Sequence, residues 1–298
     1  MSRRGVALFA AMCVIWGIPY VFIKIAVREL EPTVLVLGRT SLAAIALLPL
    51  AAARGALRPL LRRWLPLLAF AVIEIAVPWW LLAKAEQQLS SSLTALFLAA
   101  VPLIGAAVAR TTGRRERFSR QTLAGLGLGV VGVAVLAGFD TSGVGVLPVV
   151  EVVAVAACYA VGPAILDRYL SDSPALGVIS ASLGLCALVY VPLASAQLPS
   201  KAPGAEVLTS VAVLATVCTA AAFVVFFALI AEVGPVRATV ITYVNPAVAA
   251  LAGVAFLGES FTAGMGVGFV LILAGSVLAT RLVAPAAPLE PAGAVQVD

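Results

Sequence analysis

One acid stands deep inside an apolar stretch of this sequence, where ionisable side chains are rare. Glu74 lies in the segment AFAVIEIAVPWW. A charge at the centre of a membrane helix costs about 2.5–3.5 kcal/mol on insertion scales, so such residues usually face a cavity or a partner. Two roles are open for Glu74. It could carry a proton or bind a substrate ammonium, or it could be a structural carboxyl that is neutral or paired with Arg39.

Aromatic and amide side chains stand beside prolines in other apolar stretches and could line a binding cavity. Trp16 and Tyr20 are four residues apart, which places them on one helix face, and Tyr159 holds the position of Trp16 in a later stretch. Asn245 precedes Pro246, whose ring leaves a helical carbonyl without its usual donor. The predicted substrate-binding set is Trp16, Tyr20, Glu74, Trp79, Tyr159, Tyr243 and Asn245.

The members of this set also have structural alternatives. Trp79 could belong to an aromatic belt at the membrane interface. Trp16, Tyr20 and Tyr159 could pack against lipid or neighbouring helices, and Asn245 could hydrogen-bond between helices. If the set does form a site, its aromatic walls and few charges favour neutral or zwitterionic ligands with broad specificity, because a strongly anionic ligand needs several basic partners.

A second set of residues is predicted to bend or tether helices rather than to bind a ligand. Arg39 is expected to pair with a carboxylate or to snorkel towards the interface. Pro78, four residues after Glu74, is expected to bend its helix. Glu116 and Glu259 lie in short polar hinges and are expected to cap or tether helices. The set comprises Pro19, Arg39, Pro78, Pro102, Glu116, Pro163, Pro246 and Glu259.

The same spacing of prolines, glutamates and glycines occurs twice along the chain. Pro19 and Pro102 are 83 residues apart, as are Pro163 and Pro246. In each copy a later glutamate precedes two glycines by 9 and by 16 residues. The offset between the copies, about 144 residues, predicts a duplicated structural unit.

The composition is that of a membrane protein. Sixty-two percent of the 298 residues are hydrophobic and 11% are charged, whereas soluble domains are about half apolar and about a quarter charged. Long apolar runs predict spanning helices of about 20 residues, which satisfy their own backbone hydrogen bonds in lipid. The lack of histidine and of paired spacing among the four cysteines predicts no metal and no cofactor. The chain is therefore predicted to be an all-α integral membrane protein.

Ten spans joined by short connections are predicted from the apolar runs. Their expected bounds are 5–27, 33–53, 64–84, 90–110, 119–139, 145–166, 174–194, 207–231, 235–257 and 263–283. We expect two five-span repeats, over 1–143 and 144–284, and a disordered tail over 285–298. Spans 1, 3, 6 and 9 carry aromatic or polar residues beside proline, which favours them as the lining of a cavity. Glycines at 125, 127, 129 and 132 are expected to let spans 5 and 10 approach their neighbours closely.

The basic residues predict the orientation of the spans. They concentrate in the connections around 54–63 and 110–120, which lie on the same side of the predicted membrane as the N-terminus. The positive-inside rule makes that side cytoplasmic, and it then holds both termini. Because each repeat has an odd number of spans, the second repeat must lie inverted relative to the first. Inverted repeats are typical of secondary transporters, which open one site alternately to either side.

These features resemble the drug/metabolite transporter superfamily, and within it the EamA-type exporters. The residues that carry the resemblance are Trp16-Gly17 followed by Lys24, Arg39, Pro102 with Arg115-Glu116, Asn245-Pro246 and Leu257-Gly258-Glu259. The resemblance covers essentially the whole chain and implies export of metabolites, often amino acids. It also implies that spans 1, 3, 4, 6, 8 and 9 line the cavity and that spans 2, 5, 7 and 10 are peripheral. The size fits the YddG-like amino-acid exporter branch.

The predicted function is that of a secondary transporter working by alternating access. It would export small metabolites, most of all aromatic or neutral amino acids, across a bacterial-type plasma membrane. An intramembrane enzyme, a channel and a scaffold protein are the alternatives; an enzyme is disfavoured because histidine and recognisable catalytic motifs are missing from the sequence. The predicted partners are a small-molecule substrate and the lipid bilayer, with no nucleic acid, and the chain is expected to be a monomer or a weak dimer.

Overall fold

The computed structural model describes residues 2–111, 120–140, 145–234, 238 and 240–280. Within these ranges the chain folds into helices and contains no β-strand. The apolar runs become helices because a helix pairs its own backbone N–H and C=O groups where water is absent. The predicted all-α class is therefore confirmed. The expected hinge at Glu116 and the expected tail over 285–298 lie outside the described residues.

Ten helical segments, α1 to α10, can be followed through the described ranges. Seven are long and apolar enough to cross a membrane, by length and composition: α1 (Arg3–Ala26), α2 (Pro32–Ala53), α3 (Arg58–Glu86), α4 (Ser91–Val108), α6 (Val146–Tyr169), α7 (Ala175–Ser195) and α8 (Ala205–Val233). Shorter apolar stretches lie in α5 (Arg120–Asp140), α9 (Ile241–Leu257) and α10 (Ala263–Thr280).

Two of the long helices contain a π-helical segment, in which the turn is widened by one residue. These segments are Ala71–Ala76 in α3 and Thr216–Ala221 in α8, and they begin 145 positions apart. In α3 the N–H of Val77 bonds to the carbonyl of Val72, five residues back. Pro78 follows at once and cannot donate to the carbonyl of Glu74. The structure thus has a widened turn directly before Pro78, and the bend expected at this proline stays a prediction.

The other candidate prolines lie at breaks or inside helices. Pro19 begins the second part of α1 after a break that starts at Trp16. Pro102 lies in the first turn of the second part of α4, which begins at Val101. Pro163 and Pro246 are inside α6 and α9.

Glycines bring α5 and α10 into close backbone contact. A Cβ atom on Gly275 would lie 2.6 Å from the carbonyl oxygen of Gly125, and one on Gly132 would lie 2.9 Å from that of Gly268. Gly125, which comes earlier in α5, thus meets Gly275, which comes later in α10, and the later Gly132 meets the earlier Gly268. The two helices therefore run antiparallel. Gly127 has no neighbouring atom within 4 Å of such a Cβ position, so it does not take part in this close packing.

α2 and α7 also pack against each other in antiparallel fashion. The Thr33 hydroxyl near the start of α2 donates a 2.8 Å hydrogen bond to Gln197, which follows α7. At the opposite ends of the two helices, Gly177 packs directly against Ala56. The remaining main pairings join α1 with α8, α3 with α6, and α4 with α9. These pairings position the side chains described next.

Candidate functional site

The side chain of Arg39 leaves α2 and is buried between α3 and α8, with 8% of the residue exposed. Its Nε donates a 3.0 Å hydrogen bond to Thr219 Oγ1, and its Cζ lies 3.6 Å from the ring centroid of Trp79. Among the described residues, no carboxylate oxygen is within 4.0 Å of the guanidinium. The expectation of a carboxylate partner or of snorkelling is therefore wrong. A hydroxyl and an aromatic face stabilise the buried cation instead.

The widened turn of α8 presents Thr219 to Arg39. The Thr219 hydroxyl donates to the carbonyl of Leu214, five residues back, at 2.8 Å, so its lone pairs face Arg39. The two terminal nitrogens of Arg39 have no hydrogen-bond partner among the described residues. They offer the parallel donors that bind a carboxylate best.

Glu74 occupies the corresponding π-helical segment of α3 and faces α6. Its Oε2 atom is buried without a hydrogen-bond partner in the part of the chain that the structure describes. The carboxyl packs directly on Gly162, where an added Cβ would overlap Oε2. A buried acid that lacks a protein partner is suited to a cation or a proton supplied from outside.

Tyr159 of α6 interacts with residues of three other helices. It interacts electrostatically with Glu74, with Arg39 and with Tyr20. Tyr159 also packs against both of the larger apolar clusters, one containing Ile23 and the other Trp79. Arg39 thus lies against Trp79 and interacts electrostatically with Tyr20 and Tyr159, and Tyr159 also interacts with Glu74.

Trp79 is buried beneath the Arg39 guanidinium, with 8% of the residue exposed. An interfacial belt position would leave its ring at the surface, so this alternative does not apply to Trp79. The neighbouring Trp80 instead lies 5.2 Å from the Lys84 ammonium, near the end of α3.

Trp16 packs in a separate aromatic cluster. Its ring centroid lies 4.7 Å from that of Phe226 and 5.9 Å from that of Phe223, both on α8. The cluster includes Met12 and Leu229 in its buried part. Trp16 thus joins the break in α1 to the second part of α8, consistent with the packing alternative.

Asn245 and Tyr243 are half-buried in the first turns of α9. The carboxamide oxygen of Asn245 is buried and has no hydrogen-bond partner among the described residues. It therefore does not make the helix–helix hydrogen bond that was the alternative to ligand contact.

The charged hinge residue Glu259 caps the start of α4. Its carboxylate accepts hydrogen bonds from the backbone N–H groups of Ser91 and Ser92, at 2.8 and 2.9 Å, and one from the Ser92 hydroxyl at 2.5 Å. Burial raises the pKa of Glu259, but the bonds from Ser92 and Ser91 outweigh it and hold the pKa below its ordinary value. The residue tethers the hinge after α9 to the N-terminus of α4.

Sequence reasoning missed three features of this region. Thr219 could have been found from the repeat, because it stands 145 positions after Glu74. Phe223, which contacts Trp16, likewise stands 144 positions after Trp79. The burial of Glu86 could not be predicted from the sequence, because the residue lies near a charged helix end. In the structure it is completely buried. No three His, Cys, Asp or Glu side chains of the described residues are placed to hold a metal ion.

Comparison with known proteins gives matches over most of the chain. The sequence matches the EamA-like transporter family twice, over residues 3–138 and 147–281. It is 28% identical over 259 residues to the uncharacterized inner membrane transporter YedA of Escherichia coli strain K12, covering 86% of this chain and 83% of the relative. The transporter of the same name in Escherichia coli O157:H7 has the same identity and coverage. A crystal structure with 18% identity superposes with a TM-score of 0.67 over 93% of this chain and 97% of that chain.

Proposed function

This chain belongs to the EamA-like transporter family, and we propose that it exports small zwitterionic metabolites, above all neutral and aromatic amino acids. Family membership makes it a membrane transporter. Its relatives named as inner membrane transporters and its apolar helices support a multi-pass protein of the inner membrane. We propose that both termini are cytoplasmic and that the chain has no enzymatic activity.

The observation that carries the substrate class is that Tyr159 interacts with both Arg39 and Glu74, two ionisable residues without partners of opposite charge in the part of the chain that the structure describes. Arg39 offers its terminal nitrogens without a protein counter-ion, and Glu74 offers a buried oxygen without a protein donor. An amino acid has one carboxylate and one ammonium and would satisfy both residues at once. Since burying an unpaired charge is costly, a ligand that supplies both charges is favoured over one that supplies a single charge.

The proposed mechanism is alternating access by two inverted five-helix repeats, 1–143 and 144–284. Three observations support this proposal. The family matches the chain twice, over 3–138 and 147–281. The π-helical segments of α3 and α8 start 145 positions apart. The corresponding helices α5 and α10 meet antiparallel through glycines at equivalent positions, as inversion requires.

Tyr20, Trp79 and Tyr159 would form the walls of the site, and Asn245 would add an amide. Apolar walls discriminate between side chains by only about 1–3 kcal/mol per methylene-sized difference, so the transporter should accept several neutral amino acids. We also propose placement in the YddG-like branch of amino-acid exporters, which the size of the chain fits. We propose a monomer or weak dimer in the lipid bilayer, with no nucleic-acid partner.

A competition screen in proteoliposomes tests the substrate class. Uptake of labelled phenylalanine is measured against three unlabelled competitors: phenylalanine, phenethylamine without the carboxylate, and phenylacetate without the ammonium. We expect strong competition from phenylalanine alone in the wild type. In Arg39→Met, the preference for phenylalanine over phenethylamine as a competitor should fall by roughly tenfold or more. The reason is that hydrogen bonds to charged groups contribute about 1.5–3 kcal/mol. Equal competition by all three compounds would refute the zwitterion site.

A further inference from the structure

Two cations stand at equivalent positions near the ends of α1 and α6. Lys24 and Arg168 each follow a proline, Pro19 or Pro163, by five residues, and they are 144 positions apart. Each lies in the last turn of its helical segment. The substrate site proposed above uses neither cation.

Lys24 fastens α1 to the end of α3. Its Nζ donates to the backbone carbonyls of Glu86 and Leu89, at 2.6 and 2.7 Å. The last carbonyls of a helix have no donor within the helix and carry the negative end of its dipole, so an ammonium group stabilises them. We call this contact of Lys24 with the two carbonyls the α3 latch.

Arg168 makes no contact of this kind. The residue is exposed, and its guanidinium has no hydrogen bond or ion pair within the part of the chain that the structure describes. Its Cζ atom lies 5.4 Å from the ring centroid of the adjacent Tyr169. A guanidinium carries five N–H donors, and those of Arg168 remain available to a helix end that approaches it.

The two cations lie at opposite ends of the molecule, which we call the Lys24 end and the Arg168 end. Arg63 at the start of α3 donates a 2.6 Å hydrogen bond to the carbonyl of Tyr169, next to Arg168, whereas Lys24 binds the far end of α3. The last turn of α8 is also at the Arg168 end. Glu232 in that turn binds the start of α1, and α1 reaches the Lys24 end only with its last turn.

Two sets of helices, α1 with α8 and α9, and α3 with α4 and α6, are joined at the Lys24 end. The second part of α1 packs there against the end of α3 and the start of α4, and Glu259 after α9 binds Ser91 and Ser92 of α4. At the Arg168 end the main pairings of the described residues stay within each set. The first part of α1 packs on α8 and α9, and the second part of α4 packs on α6. The structure is therefore closed at the Lys24 end.

We propose that Arg168 forms a second latch, binding the end of α8 when the Arg168 end closes, as Lys24 binds the end of α3 in this structure. The carbonyl of Val233 is the counterpart of that of Leu89, 144 positions earlier. Glu232 beside it adds a carboxylate, whose side chain is 26% exposed and can accept from several donors. Parallel guanidinium donors suit a carboxylate. We call the contact of Arg168 with Glu232 and Val233 the α8 latch.

The inference rests on the proposed alternating access of two inverted repeats and names the contacts that hold each state. When one repeat moves against the other, closure at one end separates the helices at the opposite end. The α3 latch therefore releases as the α8 latch forms. The latches join helix ends outside the proposed substrate site, so their exchange does not depend on which substrate is carried.

Pulsed EPR measures the distance across each end and needs no substrate. Spin labels at Arg28→Cys and Gln88→Cys span the Lys24 end, and labels at Arg3→Cys and Ser171→Cys span the Arg168 end. All four positions are exposed. Each pair of labels is placed in its own chain, in which the four native cysteines are replaced by alanine.

The latch residues are substituted singly and together. Lys24→Met removes the α3 latch, and Arg168→Met removes the proposed α8 latch. Arg62→Met is the matched control, because Arg62 is an exposed arginine of the segment that begins α3, at the Arg168 end. It removes the same charge but does not correspond to Lys24 in the repeat.

We expect a short distance at the Lys24 end and a long one at the Arg168 end for the wild-type latch residues, as in this structure. Lys24→Met should add a longer distance at the Lys24 end and a shorter one at the Arg168 end, because only the α8 latch then remains. Adding Arg168→Met to Lys24→Met should remove that shorter distance, whereas adding Arg62→Met should leave it in place.

A shorter distance at the Arg168 end that survives Arg168→Met, or that Arg62→Met removes equally, overturns the α8 latch and leaves alternating access standing. If no chain that folds shows a shorter distance at the Arg168 end, the α8 latch and alternating access are both overturned. If Lys24→Met does not fold, the effects of Arg168→Met and Arg62→Met are compared with Lys24 in place and judged in the same way. Transport of phenylalanine is measured separately, so a wrong substrate class would leave this result standing.

Discussion

Thr219 Oγ1 accepts a 3.0 Å hydrogen bond from Arg39 Nε across 180 positions of the sequence. The bond joins α2 to the π-helical segment of α8, while Glu74 lies in the matching segment of α3. π-helical turns occur often at functional sites, because the extra residue redirects side chains and frees backbone groups. Here one widened turn holds the Arg39 cation through Thr219, the other carries the unpartnered Glu74, and both residues interact with Tyr159.

Removal of the hydroxyl that holds Arg39 should destabilise the fold. Thr219→Val keeps the shape but leaves a buried, charged donor without its acceptor, which costs roughly 1.5–3 kcal/mol. We expect a lower melting temperature in detergent by scanning fluorimetry. The matched control is Thr216→Val, three residues earlier, whose exposed hydroxyl bonds only to the carbonyl of Ala212. Equal decreases in melting temperature for Thr219→Val and Thr216→Val would contradict the role given to Thr219.

The glycine contact between α5 and α10 predicts a sharp contrast between two substitutions. In Gly275→Ala the new Cβ would meet backbone atoms of Gly125 and Gly129, both at 2.6 Å, so the helices must separate at a cost of about 1–3 kcal/mol. Gly127→Ala enters open space and should be neutral or stabilising, because alanine favours helix by up to about 1 kcal/mol. The melting temperatures of Gly275→Ala and Gly127→Ala are compared by thermal unfolding. If Gly127→Ala lowers the melting temperature as much as Gly275→Ala does, the close contact between α5 and α10 is not the cause of the destabilisation.

The overall fold was largely predictable from the sequence, because apolar run length and the repeat of prolines depend on local residues. The all-α class followed from runs such as that containing Glu74, and the break before Pro19 follows from proline chemistry. The widened turns were not predictable. In α3 the carbonyl of Ala76 accepts a 2.9 Å hydrogen bond from the Tyr190 hydroxyl, a contact made by a residue 114 positions away.

The candidate site was predictable only in part. Glu74 stood out because it is an isolated acid in an apolar run, and the structure places it beside Tyr159. The environment of Arg39 could not be derived, since both the face of Trp79 and the hydroxyl of Thr219 reach it through tertiary packing. Glu86 was missed because burial of a helix-end residue depends on the neighbouring helices and not on its own segment.

The cap formed by Glu259 should stabilise the protein in a pH-dependent way. Hydrogen bonds hold its pKa below the ordinary value in the folded state, so the carboxylate stabilises the fold above the ordinary pKa. That contribution is lost as the pH falls through the lowered, folded-state pKa. We expect Glu259→Gln to melt below the wild type at neutral pH and to approach it in strong acid. A difference in melting temperature that stays constant across this range would contradict the charged cap.

Labelling from one side of the membrane tests the inverted arrangement. Arg114, outside the described residues, and Ser260 lie in the corresponding hinges of the two proposed repeats. A cysteine at Arg114 should react only with a reagent on the cytoplasmic side, and one at Ser260 only with a reagent on the opposite side. In all of these variants the four native cysteines are replaced by alanine. A cysteine placed at Lys201 serves as a second outward-facing reference. Reaction of the Arg114 and Ser260 positions from the same side would rule out inverted repeats.

Counterflow tests the central claim, that the protein is a carrier of neutral amino acids. Purified protein is placed in liposomes loaded with unlabelled phenylalanine, and labelled phenylalanine is added outside, with empty liposomes as the control. A carrier exposes one site to either side in turn, so the internal substrate should speed the entry of label. The account predicts uptake that saturates with external concentration and is accelerated by internal substrate. Uptake that rises linearly and is unaffected by the internal substrate would contradict it.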